Sequence, residues 1–210
     1  MHKLLGVYVD NLLNWHVQID HVCKTLNKKI ALLKNIVYFL TPDMKMLYYN
    51  AYILPVFDYC CLVWGIGTQK NVNRISSLQK RIARIIMNKS KRAPSIDLFK
   101  ELQWLSFSDR CKYHSAVLIY KVLNGTAPSY MTDFVSFSQN NVYNLRSIAN
   151  NDLILQSRHK TKYMQASFVN YSRNIWNIIP SQVRNSSDIR TFKKNVKQFL
   201  MGGGISLHAN

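Results

Sequence analysis

Acidic residues are scarce in this chain. Its 210 residues include a single glutamate, Glu101, and nine aspartates that stand singly, and no two acids are neighbours. Metal-dependent nucleotidyl transfer needs carboxylates that hold two cations about 4 Å apart, usually supplied by adjacent or nearly adjacent acids. That chemistry is therefore not expected of the chain. Asp58, inside the apolar run FDYCC, is the one acid in a strongly hydrophobic setting, and a hydrogen-bonded structural role is expected of it. The four cysteines, Cys23, Cys60, Cys61 and Cys111, form no C-x-x-C pair and no regular framework. With no secretory signal ahead of them, they read as reduced thiols in a nuclear or cytoplasmic protein. A thiol nucleophile at Cys60 or Cys61 has neither a base nor an orienting group specified beside it. Glycine is too sparse for a phosphate-cradling loop of P-loop or dinucleotide type. His16 and His21 lie five apart on a helical pattern, about 140° out of register, so with Cys23 they make no metal set. The least polar window, residues 51–67, contains Asp58 and Pro55 and falls short of the ~20 apolar residues that span a bilayer. No repeat and no low-complexity tract is visible.

Positive charge is abundant. Twenty-eight Lys and Arg against ten acids leave a formal net charge of +18, while 48% of residues are hydrophobic, enough to build a core. Self-repulsion makes such a surplus costly on a folded body, which points to a polyanionic partner, nucleic acid ahead of an anionic membrane. The charge runs through the whole length and is not gathered in a tail.

The pattern of apolar residues organises the chain. Residues 4–9 form a short β-prone run with no partner strand close behind. Trp15, Ile19, Val22, Leu26, Ile30, Leu33 and Val37 then recur by threes and fours, predicting a long amphipathic helix that closes near Leu40, its outer side carrying Lys24, Lys28, Lys29 and Lys34. Thr41-Pro42-Asp43 opens another helix, which Pro55 kinks or interrupts. The sharpest pattern lies at residues 70–88. Val72, Ile75, Leu78, Ile82, Ile85 and Ile86 fall within roughly 140° of arc, and Lys70, Arg74, Lys80, Arg81 and Arg84 occupy the other side. Thr68 is a plausible cap for it. Ser95 is expected to cap a short helix, and Ser106 or Ser108 one that reaches Asn124, apolar on both sides and so central, with Gly125 just past its end. Residues 136–152, rich in Asn and Ser, read as an exposed loop. A helix over 163–178 ends before Pro180, and a closing helix spans 189–200 with Lys193, Lys194 and Lys197 between its apolar positions. Trp15, Trp64 and Trp176 sit in apolar patterns and are expected to be core anchors.

In order along the chain stand LGVYVD and LNWHVQI (5–19), LYYNAYILPVFDYCCLVWG (47–65), LQKRIARII (78–86), LFKELQWL (98–105), YKVLNGTAPSY (120–130), YNLR (143–146) and IWNIIPSQVR with FKKNVKQFL (175–200). This series closely resembles the C-terminal part, the thumb and the region after it, of reverse transcriptases from non-LTR retrotransposons of LINE type, Jockey-like in particular. In that family the palm, with its paired catalytic aspartates and the Mg ions they hold, and an endonuclease both precede the matching segment. The resemblance therefore implies a product without its catalytic palm, in which residues 4–9 once led from palm to thumb. Alternatives are the C-terminal part of an active enzyme whose gene model is cut short, and a non-catalytic all-α basic interaction module or unexpressed pseudogene product. The family's thumb holds the template and primer, which makes the face of Lys80, Arg81 and Arg84 the best place for backbone contacts. Trp64, Gly65, Trp176 and Pro180 match family positions that serve packing, and nothing here matches a C-terminal zinc knuckle.

The resulting expectation is a mainly α fold: a remnant strand and lead-in (1–14), a thumb-like helical bundle (15–130), a loop-rich connection (131–157), a smaller basic helical module (158–201) and a disordered tail (202–210). The chain is expected to have no catalysis and no cofactor of its own, and no membrane contact. RNA or an RNA–DNA duplex is the expected partner, bound through Arg74, Lys80, Arg81, Arg84, Lys89, Lys91, Arg92, Arg146, Arg158, Lys160 and Lys162.

Overall fold

In the computed structural model, which describes residues 1–135, 153 and 167–202, the apolar spacing of the first long segment becomes helix α1, His16–Ile36. Its buried apolar positions, Ile19, Val22, Leu26, Ile30 and Leu33, are those the periodicity picks out, and the polar Gln18 is buried beside them. The last turn tightens into a 3-10 segment, Val37–Phe39, with Val37 still buried. Chain contacts divide the protein into two units, Met1–Cys111 and Lys112–Asn210. The second takes most of a helix that the sequence pattern groups with the bundle.

The first unit opens with a correction. Residues 4–9 are not an orphan strand: β1 (His2–Leu4) pairs antiparallel with β2 (Val7–Val9), in the register His2 to Val9, Lys3 to Tyr8 and Leu4 to Val7. The two-residue turn is Leu5-Gly6, both at positive φ (45° and 82°), which matches the right-handed twist of the strands it joins. The partner strand overlaps the start of the apolar run: His2 and Lys3 are polar and precede it, and Leu4 belongs to it. Gln18 and Tyr59 fasten this hairpin: the Tyr8 amide donates to Gln18 Oε1 at 3.0 Å, and the Tyr59 hydroxyl donates to the Leu5 carbonyl.

Thr41, Pro42 and Asp43 start α2 (Pro42–Tyr48) as expected, Thr41 Oγ1 accepting from the Met44 amide at 3.4 Å. The chain then widens into one π-helical turn, Tyr49–Ile53, before α3 (Leu54–Asp58). Pro55 sits in the first turn of α3, where its missing N–H is tolerated, and the wide turn before it absorbs the ring that would clash with a regular helix. After Cys60 at φ 50°, the short α4 (Cys61–Trp64) leads to Gly65.

Helix α5 runs Gln69–Ile86, with Thr68 at the cap position but no bond from its hydroxyl. Its buried line is Asn71, Ile75, Gln79, Ile82, Ala83 and Ile86, so the core face is rotated from the apolar stripe and takes in two amides. Gln79 donates from Nε2 to the Leu105 carbonyl (2.9 Å) and the Tyr49 hydroxyl (3.3 Å), and Asn71 Nδ2 donates to the Asn14 carbonyl (3.1 Å). Buried amides become acceptable when hydrogen-bonded, and apolar periodicity cannot see them. The next short helix, α6 (Ser95–Glu101), has Pro94 and not Ser95 at its cap. α1 and α5 pack on each other, and beneath them Tyr49 stacks on Trp104 (centroids 3.5 Å apart) and Trp64 on Phe107 (5.5 Å). Gly65 lies in this layer because nothing larger fits: a Cβ there would meet the Cys61 carbonyl at 2.5 Å and Cys111 Sγ and Phe107 Cζ at 2.9 Å.

Helix α7, Phe107–Leu123, begins with a capping pair: Ser106 Oγ accepts from the Asp109 amide (3.2 Å) and donates to the Asp109 carboxylate (2.6 Å). Gly125, at φ 65°, closes it. Cys111, Ala116, Val117, Ile119, Tyr120 and Val122 are buried along its length, as a central helix requires.

The second unit adds a 3-10 turn (Ser129–Phe134) and helices α8 (Phe168–Ile178), α9 (Ser181–Arg184) and α10 (Ile189–Met201). α8 starts five residues later than its expected span, behind the cap Ser167. Tyr120 and Phe192 stack at 4.2 Å, with the Trp176 ring 6.0 Å from Phe192. Asn177 holds Leu153 through a reciprocal amide pair (2.8 and 2.9 Å). The loop expected at 136–152 and the tail from 203 lie outside the described residues. Among those described, no helix is long and apolar enough to cross a membrane.

Candidate nucleic-acid interface

Helix α5 presents its cations away from the buried line, with Lys80 and Arg81 exposed and Arg84 half-buried. Its end is shaped by a Schellman closure: Asn88 takes the left-handed conformation (φ 49°), its amide bonds to the Ile85 carbonyl (3.2 Å), and the Lys89 amide reaches back to Arg84 (2.9 Å). The chain thus doubles back beside the last turn, carrying Lys89 and Lys91 with it. Arg84 secures that return by donating from Nε to the Ala93 carbonyl at 3.0 Å. This bond fixes the plane of the guanidinium, whose two terminal amino groups remain available for a bidentate anion contact.

The C-terminal end of α1 lies beside this feature. Lys34, Val37 and Tyr38 join Arg81, Arg84, Ile85, Asn88, Lys89 and Lys91 around an open groove of about 570 Å³. Five of the nine lining residues are cations and none is an acid. Like charges gathered without counter-charge repel one another, and a polyanion laid along the groove relieves that repulsion. Arg81 is held loosely, NH1 lying 3.5 Å from Asn27 Oδ1.

Of the residues expected from sequence, the fold therefore brings Arg81, Arg84, Lys89 and Lys91 together. Lys80 and Arg92 are exposed but do not line the groove. Arg74, also outside it, pairs with Asp20 at 2.5 Å, and the carboxylate raises the affinity of its guanidinium for the proton. That pair is surface-exposed and adds little stability. Arg146, Arg158, Lys160 and Lys162 lie outside the described residues. Sequence reasoning missed Lys34 and Tyr38 as members of the groove. The available signal was the pair Tyr38-Phe39, two aromatics placed just beyond the last core position of α1.

Several chemistry-bearing residues among those described elsewhere are held in structural contacts. Arg110 holds Asp58 in a bidentate pair, Nε to Oδ1 at 2.6 Å and a second bond from NH2 to Oδ2, with side chains only 16% and 25% exposed. Cys111 is buried against the Cys61 carbonyl (3.9 Å), and its contact with Cys61 together with burial pushes its thiol well above the usual range. All four cysteines are free. The His21 ring rests on Tyr8, centroids 5.1 Å apart. No group of three or more His, Cys, Asp or Glu among the described residues is placed to hold a metal. Trp64 and Trp176 are core anchors, as expected, and so is Trp104, whereas Trp15 is only half-buried and packs against the core.

Among curated proteins, the chain is similar to the probable RNA-directed DNA polymerase from transposon X-element of Drosophila melanogaster, with 25% identity over 117 residues. The match covers 54% of this chain and 13% of that protein, so the chain spans a small part of its relative's length. No family model matches the chain, and no solved structure gives a match. The similarity supports a region related to reverse transcriptases.

Proposed function

We propose that this chain is part of a transposon-type RNA-directed DNA polymerase and that its first unit has a thumb-like role, gripping RNA or an RNA–DNA duplex by the phosphate backbone. The observation that carries this reading is the groove itself: Lys34, Arg81, Arg84, Lys89 and Lys91 around one cleft with no acid in its lining. The similarity to a transposon polymerase supports the same partner. Contacts of this kind read charge and spacing, so binding is largely indifferent to base sequence. In this reading the first unit contributes grip and not chemistry, and Asp58, the acid in its most apolar stretch, is tied to Arg110.

Equilibrium binding of a hairpin RNA and of an RNA–DNA duplex tests the reading. Arg81→Glu with Arg84→Glu is expected to weaken both, whatever their sequence, while Arg74→Glu, outside the groove, has a smaller effect. Equal losses from the groove pair and from Arg74 would overturn the assignment. Template-directed nucleotide incorporation by the purified chain in Mg would overturn the non-catalytic part.

A further inference from the structure

The groove holds one feature that phosphate neutralisation does not use. Tyr38 lines it while remaining 81% exposed, and its neighbour Phe39 is 84% exposed. Large aromatics left in water are informative when they lie beside a charged cleft. The turn that carries them is well held. Val37 is buried below it, the Leu40 amide closes it on the Val37 carbonyl (3.4 Å), and Thr41 immediately caps the next helix. Tyr38 is therefore displayed from a braced 3-10 turn between two helices, within the same lining as the five cations.

From this juxtaposition we infer that the groove takes an unpaired stretch of nucleic acid, with Tyr38 as the platform on which one exposed base stacks. The inference rests on the backbone-binding reading above and narrows it. Inside a duplex both faces of every base are already stacked on neighbours, so a protein ring finds a free face only where the strand is unpaired or ends. Cations alone accept duplex and single strand alike. Cations with an aromatic ring form the combination that single-strand grooves use, and stacking is tolerant of sequence because every base presents a π-face. The cleft, about 570 Å³, lies within the ~300–1,000 Å³ of sites that bury a small organic ligand, room enough for a nucleotide unit. Arg84, with its guanidinium plane fixed through Ala93, supplies a phosphate contact in that same lining.

The test compares two probes by fluorescence anisotropy on the full chain: a blunt hairpin RNA whose strands are joined by a non-nucleotide linker, so that it has no unpaired base, and the same hairpin with a single-stranded 3′ oligouridine extension. The wild-type protein is expected to bind the extended hairpin more tightly. Tyr38→Ala is expected to lower affinity for the extended hairpin by roughly 5- to 150-fold, leaving the blunt hairpin unchanged, and Tyr38→Phe to retain the preference. Because Tyr38 is exposed, neither variant disturbs the core. Equal losses on both probes, or no loss on either, would overturn the inference while leaving the backbone reading intact. Failure of the wild type to bind either hairpin would overturn both.

Discussion

Asp58 and Arg110 offer the sharpest test of whether the enclosed acid is structural. The two form a bidentate pair whose members are 25% and 16% exposed. Asp58→Ala removes both acceptors and strands a guanidinium that is mostly out of water. Breaking a buried pair from one side costs about 3–5 kcal/mol, and the residual water access here places the loss near the lower end, about 3 kcal/mol. For a unit of this size that corresponds to a drop of about 10–15 °C in Tm. Arg110→Met alone takes the bidentate donor away from the carboxylate and costs a similar amount. Replacing both together, Asp58→Leu with Arg110→Met, removes the charges as a pair and is expected to cost no more than either single change, about 3 kcal/mol against a sum of about 6, a coupling of about 3 kcal/mol. Thermal and urea melts followed by the fluorescence of the buried tryptophans measure the cycle. Single variants within ~0.5 kcal/mol of wild type, or a double variant whose loss equals the sum of the two, would refute the structural account.

Gly65→Ala is expected to destabilise the first unit by about 1–3 kcal/mol, because the added methyl meets a backbone carbonyl as well as two packed side chains. Gly125→Ala, with open space around it, pays only for its left-handed backbone, about 1 kcal/mol; urea melts separate the two. Burial pushes Tyr49 up to about 12, only partly offset by the Gln79 hydrogen bond. A folded value above the unfolded one near 10 means that its contribution is complete below pH ~10 and is lost as pH rises through about 12, so spectroscopic titration should show a late tyrosinate that Tyr49→Phe removes. Asp188 is held below its ordinary value by the Thr191 hydroxyl and amide and then by the Arg190 amide. Its stabilisation is present above the usual aspartate range and disappears as pH falls through the lower folded value. Asp188→Ala should therefore lower Tm at neutral pH and flatten its fall in acid.

The helical skeleton could be read from the chain because its signals are local. The apolar core positions on α1 follow from spacing, though the buried Gln18 does not, and Thr41-Pro42-Asp43, Ser106 and Gly125 mark ends by their own hydrogen bonds and backbone angles. Features that depend on distant partners were not legible. Gln79 counts as polar in the pattern, and only the fold brings the Leu105 carbonyl and the Tyr49 hydroxyl to its Nε2, so the buried face of α5 is rotated from the apolar stripe. The hairpin escaped notice because its first strand is short and mostly polar. Half of the groove was visible as the cations of α5 and the loop after it, and half was not. Lys34, Val37 and Tyr38 lie far upstream of the groove's other residues, and only the packing of α1 on α5 brings them alongside.

The central claim, that a five-cation groove grips phosphates, is tested most directly by the salt dependence of binding. The affinity for an RNA–DNA duplex is measured from low to physiological ionic strength for the wild type and for Arg81→Gln with Arg84→Gln. Five neutralised phosphates predict a slope of log K against log salt of about −3.5 to −4.5, and loss of two should bring it to about −2 to −3. A wild-type affinity indifferent to salt, or a slope unchanged by the double substitution, would contradict the account.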